Sequence, residues 1–244
     1  MDTAGRYSFG VRTYECGADA FATLPSICNY LQEAASLNAA ELKFSKTDFD
    51  KTGSNVSWVL TRLRIEMDEY PSWGDEALVV TFPRGGRRIA AWRDFILETS
   101  SGRRLGAASS EWMLIDLSTR KIVPFPESVL AMAATARESV LGDAPFTPRL
   151  KFPENPIAPA CSLALRSLKA DVDLNRHVNN VHYIEWLLEP LDSLCPKSFE
   201  ITFHSEATAG EEIRVETASN PDGSVMSRAL SAGGRVFAIA KVGR

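Results

Sequence analysis

Residues 24–42, LPSICNYLQEAASLNAAEL, decide the fold class once they are set beside the stretch that follows. Leu24, Ile27, Cys28, Leu31, Ala34, Ala35 and Leu42 return near one face at a period of 3.6 residues, as in a helix with one buried stripe. Thr23 stands where an N-cap belongs, and Pro25 falls in the first turn, where its missing N–H is harmless. Past a polar loop predicted over 48–54, the period changes. In residues 61–68, TRLRIEMD, Leu63, Ile65 and Met67 alternate with Arg62, Arg64, Glu66 and Asp68, the pattern of a half-buried strand.

The same reading extends outward in both directions. A short strand and an approach loop are predicted over 7–23, and further strands over 77–82, 90–99 and 105–116. Breaks fall at 70–75, at 83–88 around Gly85-Gly86, and at Ser100-Ser101-Gly102. One long helix followed by antiparallel strands on short turns is an α+β pattern, and a helix cradled by such a sheet is the hotdog arrangement. Residues 126–139 read as a short helix. Pro145, Pro148, Pro153, Pro156 and Pro159 then mark an extended connector. After Cys161 the order of elements repeats, with a second helix over 178–191 and strands from Phe199 onward. Ile65-Glu66-Met67 lies over Ile201-Thr202-Phe203, Gly74-Asp75-Glu76 over Gly210-Glu211-Glu212, and Tyr30-Leu31 over Tyr183-Ile184. The chain therefore reads as a duplicated unit, its helices offset by 153 positions and its strands by 136. The expected divisions are an N-terminal domain over 1–125, a helix and linker over 126–160, and a C-terminal domain over 161–244.

Composition bounds the size: a chain of 244 residues, 45% of them hydrophobic, is long enough for one large domain or two small ones. A net charge of −4 and a pI of 5.5 supply no bulk attraction to nucleic acid or anionic lipid. No apolar run reaches membrane-spanning length, and the N-terminus lacks the apolar core of a signal peptide, so a cytoplasmic location without membrane insertion is expected. Cys16, Cys28, Cys161 and Cys195 are scattered, with no metal-ligand spacing, and His177, His182 and His204 have no ligand set around them. Neither a metal nor an organic cofactor is expected. A homodimer stays open.

The densest polar cluster is 171–180, DVDLNRHVNN, at the predicted start of the second helix. Helix-terminal N–H groups and the positive dipole end favour a developing oxyanion there. Asp173, Asn175 and His177 alternate, so an extended segment would put them on one side. Asx residues before a helix are equally ordinary caps, and these residues alone leave both readings open.

A resemblance covers nearly the whole chain, from about Tyr7 to about Lys241. Residues 171–189, DVDLNRHVNNVHYIEWLLE, are similar to the signature of the acyl-ACP thioesterases of plant plastids and bacteria. Residues 14–19 (YECGAD), 30–34 (YLQEA), 58–62 (WVLTR), 70–75 (YPSWGD) and 109–112 (SSEW) resemble other segments of that family in the same order. The resemblance implies two fused hotdog domains, and hydrolysis of fatty acyl chains from acyl carrier protein. It also implies an Asp-x-Asn-x-His set at Asp173, Asn175 and His177 and a distal Glu-Cys pair at Glu206 and Ala207. The chain departs from the family at the last of these, where alanine replaces cysteine.

With no thiol at 207, Glu206 is expected to activate water or attack the thioester, while Asp173 and His177 orient the reacting groups. Asn175 and amides of the second helix are expected to stabilise the oxyanion. By the offsets above, the first unit has Ala20, Ala22, Leu24 and Tyr70 at the catalytic positions, so its expected role is the acyl-chain channel. Leu31, Trp58, Leu60 and Met67 are candidate lining residues, each also readable as plain core. Arg84, Arg87, Arg88 and Arg93 form the densest basic stretch, either a docking patch for the acidic carrier protein or a solvated loop. The alternatives are a hotdog acyl-CoA thioesterase, a hydratase or dehydratase of the same fold, and a non-hydrolytic acyl-binding homologue.

Overall fold

The computed structural model describes residues 3–133, 137–142, 145–148, 150–154, 162–173 and 177–243. Strand β1 (Gly5–Gly10) leads to the long helix α1 (Leu24–Glu41). Thr23 caps α1 as expected, its Oγ1 accepting the N–H of Ser26. A short helix α2 (Lys46–Lys51) follows, then β2 (Val56–Met67), β3 (Glu76–Arg87), β4 (Ala90–Thr99) and β5 (Arg104–Asp116). After β6 (Ile122–Val123) and α3 (Glu127–Ala133) come β7 (Ser162–Arg166), α4 (Asn180–Leu188), β8 (Ser198–Phe203), β9 (Glu212–Ser219), β10 (Val225–Ser231) and β11 (Val236–Gly243).

All these strands join one antiparallel sheet in the order β1-β3-β4-β5-β2-β8-β11-β10-β9-β7, with β6 on β5. Its two halves repeat one topology, β1 to β5 being followed by β7 to β11 in matching positions. The halves meet where β2 pairs with β8, Arg62 opposite Thr202 and Glu66 opposite Ser198. The sheet wraps α1 and α4, which touch each other, and one apolar core runs through both halves. Leu63, Ile65, Phe199 and Ile201 face that core from the central seam. On the opposite face, Glu200 pairs with Arg62 at 3.1 Å and accepts the N–H and the hydroxyl of Thr147, both at 2.7 Å. The proline-rich connector is thereby pinned across the seam.

The duplication extends to single hydrogen bonds. Ser72 N–H bonds Asp75 Oδ2 at 2.8 Å, and 136 positions later Thr208 N–H bonds Glu211 Oε2 at 2.7 Å. Gly74 and Gly210, in the left-handed region with φ of 87° each, close these turns, and their N–H groups bond Val11 O and Ser167 O. Before the helices, the bridge Cys16–Ala22 recurs 156 positions later as Val172–Val178. The helix offset is therefore 156 and not 153, and Tyr30 matches Trp186 rather than Tyr183. Position 173 falls on Gly17, 175 on Asp19 and 177 on Phe21, while Glu206 still falls on Tyr70.

Three local expectations change. The loop predicted over 48–54 contains most of α2, started by a Ser45–Asp48 capping box and invisible to periodicity because only Phe49 is buried. The break predicted at 83–88 is absent as far as Arg87, because a bulge between Pro83 and Gly85 absorbs the proline without ending the strand. The second helix is shorter than predicted and spans Asn180–Leu188, and residues 137–139 carry no helix.

Candidate active site

The segment before α4 closes on itself. Asp173 N–H bonds His177 O at 2.8 Å, and His177 N–H reaches Asp173 Oδ1 at 3.4 Å. Asn175 lies outside the described residues. Val178 N–H then bonds Ala207 O at 3.0 Å, tying the segment to the loop after β8. Asn179 caps α4 through its side chain, which accepts the N–H of Val181 at 3.1 Å. The capping role therefore falls to Asn179, while Asp173 accepts the N–H of His177 within the segment.

Glu206 sits on the loop anchored by His204 N–H to Phe237 O at 2.8 Å and by Ser205 Oγ to Val236 O at 2.7 Å. This anchoring brings Glu206 Oε2 to 3.2 Å from His177 Nε2. Arg120, from the turn joining β5 to β6, forms an ion pair with the same carboxylate oxygen and lies 3.4 Å from His177 Nε2. A cavity of about 620 Å³ opens here, with Asp173, His177, Glu206 and Arg120 on its wall. Apolar side chains of the first unit, among them Trp58, Leu60 and Trp112, form another part of that wall. A smaller, mostly apolar pocket of about 100 Å³ shares Ser36, Trp58 and Trp112 with it. Of the amides at the start of α4, those of Val178, Asn179 and Val181 are bonded within the protein, and Asn180 beside them lines the cavity.

The four expected lining residues separate. Trp58 and Leu60 line the cavity. Leu31, 1% exposed, and Met67, 4% exposed, pack in the core instead. Gln32 and Ser36, on the next face of α1, reach the cavity where Leu31 does not. The arginine stretch also divides. Arg93 is buried, donates to Asn38 Oδ1 at 2.7 Å and to Thr81 Oγ1 at 3.1 Å, and is pushed down to about 10 by burial. Arg84 pairs with the buried Asp94 at 3.0 Å. Alternation along β4 turns Arg93 inward, so it is corrected from a docking residue to a core residue; Arg84 is likewise tied inward. Arg87 and Arg88 stay exposed.

Among the described residues no cysteine stands in for the one missing at 207. Ala207 is fully buried, and its N–H bonds Tyr183 Oη at 2.6 Å. Cys195 lies beside the start of α1, its Sγ donating to Ala22 O at 3.5 Å, and burial pushes its thiol up to about 11. Cys28 is fully buried, Cys16 lies near the first helix, and Cys161 is outside the described residues. Among the described residues no cluster of His, Cys, Asp and Glu is arranged to hold a metal, and no helix is long and apolar enough to cross a membrane. Arg120 and Tyr183 were not among the residues expected from sequence. Arg120 is a polar turn residue with no periodic signal, and the helical pattern marks Tyr183 only as buried.

Residues 4–133 match the family model of the acyl-ACP thioesterase N-terminal domain, and residues 157–235 match that of the C-terminal domain. The chain is 34% identical over 200 residues to oleoyl-acyl carrier protein thioesterase 1, chloroplastic, of Arabidopsis thaliana, covering 75% of this chain and 53% of that protein. It is 31% identical over 192 residues to the palmitoyl-acyl carrier protein thioesterase, chloroplastic, of the same plant, covering 75% and 46%. The chain thus spans about half the length of these curated relatives. An acyl-ACP thioesterase from Bacteroides thetaiotaomicron superposes with a TM-score of 0.84 at 25% identity, over 98% of this chain and 97% of that one. The 12:0-ACP thioesterase from Umbellularia californica shares the fold at a TM-score of 0.84 and 22% identity, over 100% and 97%. These are hotdog folds in duplicate, and with the N-terminal family model alone matching more than half of the sequence, the chain belongs to the acyl-ACP thioesterase family.

Proposed function

We propose that this chain hydrolyses the thioester of fatty acyl chains carried on acyl carrier protein, using Glu206 as its base. The observation that carries the reading is the 3.2 Å approach of His177 Nε2 to Glu206 Oε2 on the wall of a cavity of about 620 Å³ that apolar side chains also line. Glu206 takes a proton from water, and the water oxygen attacks the thioester carbonyl carbon. The C–S bond then breaks, the proton passes to the departing thiolate, and free fatty acid and thiol are the products. His177 orients Glu206, and Asp173 holds the His177 segment closed. Asn175 and the amide of Asn180 are the donors assigned to the tetrahedral oxyanion. Direct attack by Glu206 on the carbonyl is the variant of this scheme that would form an acyl-enzyme.

Trp58 and Leu60 are assigned to the acyl chain, with the smaller pocket beyond Trp58 as room for its far end. A cytoplasmic location goes with the same reading; the curated relatives named above are chloroplastic.

The test is free-thiol release from matched acyl-ACP and acyl-CoA pools of graded chain length, with His177→Ala and Trp58→Ala beside the wild type. Hydrolysis favouring acyl-ACP, abolished by His177→Ala and shifted in chain length by Trp58→Ala, is expected. Release from acyl-CoA alone would reassign the carrier, and release from neither would leave an acyl-binding protein.

A further inference from the structure

The turn that presents Arg120 is built more firmly than an ordinary hairpin end. Asp116 Oδ1 accepts the amides of Ser118 at 2.9 Å and Thr119 at 2.7 Å, and Asp116 O accepts the amide of Arg120 at 2.8 Å. Asp116 N–H returns to Lys121 O at 2.9 Å, and Asn55 Nδ2 donates to Ser118 Oγ at 2.8 Å. Arg120 itself has φ of 58°, a left-handed conformation that costs a residue with a Cβ on the order of 1–2 kcal/mol. Such a conformation persists where its surroundings over-determine it, and it clusters at functional sites. Its result is a guanidinium carried from the first unit to the carboxylate of the second.

We propose that Arg120 is a positioning residue for Glu206, holding the carboxylate by Oε2 in the orientation that turns its other oxygen to the water. The inference rests on the reading of Glu206 as the base. A guanidinium remains charged throughout the accessible pH range and only donates, so it cannot itself act as the base. Arg120 and His177 converge on Oε2, and Oε1 is the oxygen assigned to the water. The pair is half exposed, at 37% and 44% for the two side chains, so a role in stability alone is small and turnover is where its loss registers. The first unit, without a base of its own, thus contributes to the reaction as well as to the cavity wall.

The experiment measures kcat and KM for thiol release by wild type, Arg120→Met, Arg120→Lys, Arg120→Ala and Glu206→Gln, with the thermal midpoint of each. Arg120→Met is expected to lower kcat by roughly 10²-fold at near-constant KM and midpoint, the scale of a displaced catalytic group. Arg120→Lys should keep part of the rate, because it retains the charge and loses the planar fork. Millimolar guanidinium should restore part of the kcat of Arg120→Ala, which repair of a merely structural defect would not do. Wild-type kcat in Arg120→Met beside an inactive Glu206→Gln overturns the inference alone, as does a change confined to KM. Full turnover by Glu206→Gln overturns it together with the reading on which it rests.

Discussion

The chain approaches its two enclosed helices by the same backbone path. Before α1, Cys16 bridges Ala22, Ala22 N–H bonds Pro71 O at 2.9 Å, and Thr23 caps the helix. Before α4, Val172 bridges Val178, Val178 N–H bonds Ala207 O at 3.0 Å, and Asn179 caps the helix. The side chains differ. Gly17, Phe21 and Tyr70 occupy the first copy where Asp173, His177 and Glu206 occupy the second. Asp19, in the place of Asn175, is spent on the amide of Phe21 at 3.2 Å. A hydrogen-bonded loop at a helix start is thus what the fold requires, and the proposed acid–base set is an addition to one copy of it. Phe21 and Tyr70 cannot serve as a base at neutral pH, Tyr70 all the less because burial raises its phenol well above the usual range.

The sharpest way to break the comparison is to remove the functional group from each copy in turn. Glu206→Gln keeps shape and removes the proposed base, and a loss of about 10²–10⁴-fold in kcat is expected, with the thermal midpoint unchanged. Tyr70→Phe removes the hydroxyl that donates to Pro196 O at 2.7 Å, and should cost about 1 kcal/mol of stability with kcat intact. Steady-state thiol release and chemical denaturation measure the two. If Tyr70→Phe stopped turnover, or Glu206→Gln spared it, the division between a structural and a catalytic copy would be wrong.

That asymmetry shows why parts of the molecule are legible in sequence and others are not. Helix α1 is legible because its apolar stripe, Thr23 and Pro25 agree on one answer. Asp173 and His177 stand out because polar groups crowd where caps alone would suffice, whereas Glu206 is reached only through the family resemblance, and the structure brings all three to one cavity wall. Arg120 does not stand out, being 57 positions from His177 in a polar turn whose position depends on tertiary pairing of the two units. Arg93 misleads for the opposite reason: a run of arginines suggests an exposed patch, and the strand period places one of them beside Asn38. Leu31 and Gln32 are adjacent in sequence and separate into core and cavity wall, a distinction that periodicity cannot make because it marks Gln32 only as lying off the buried stripe.

The next effect in size concerns the core, where the copies should behave alike. Leu31 and Leu187 occupy matching positions in α1 and α4, at 1% and 0% exposure. Leu31→Ala and Leu187→Ala should each cost about 2–5 kcal/mol by the lost transfer energy and the cavity left behind. Equilibrium denaturation reads both losses. Leu31→Ala should leave chain-length preference unchanged. A stability loss below about 1 kcal/mol with a shifted product profile would move Leu31 from the core to the cavity wall.

The smallest expected effect separates the two helices by pH. In α1 Ser26 donates its hydroxyl to Glu15 O at 2.7 Å, a contact that does not titrate near neutrality. The matching residue in α4 is His182, whose Nδ1 lies 2.7 Å from Glu185 Oε2 and 4.0 Å from Asp171 Oδ1. The hydrogen bond to Glu185 raises the imidazole above its ordinary value. A raised histidine contributes its stability fully below the unfolded value, about 6.5, and loses it as pH climbs through the higher folded value. His182→Gln should therefore cost a few tenths of a kcal/mol at about pH 5 and almost nothing at about pH 9. Ser26→Ala should lower the melting midpoint equally at both. A pH-independent loss for His182→Gln would mean that the ring stabilises α4 by packing, and the two helix faces would then differ in shape without differing in charge.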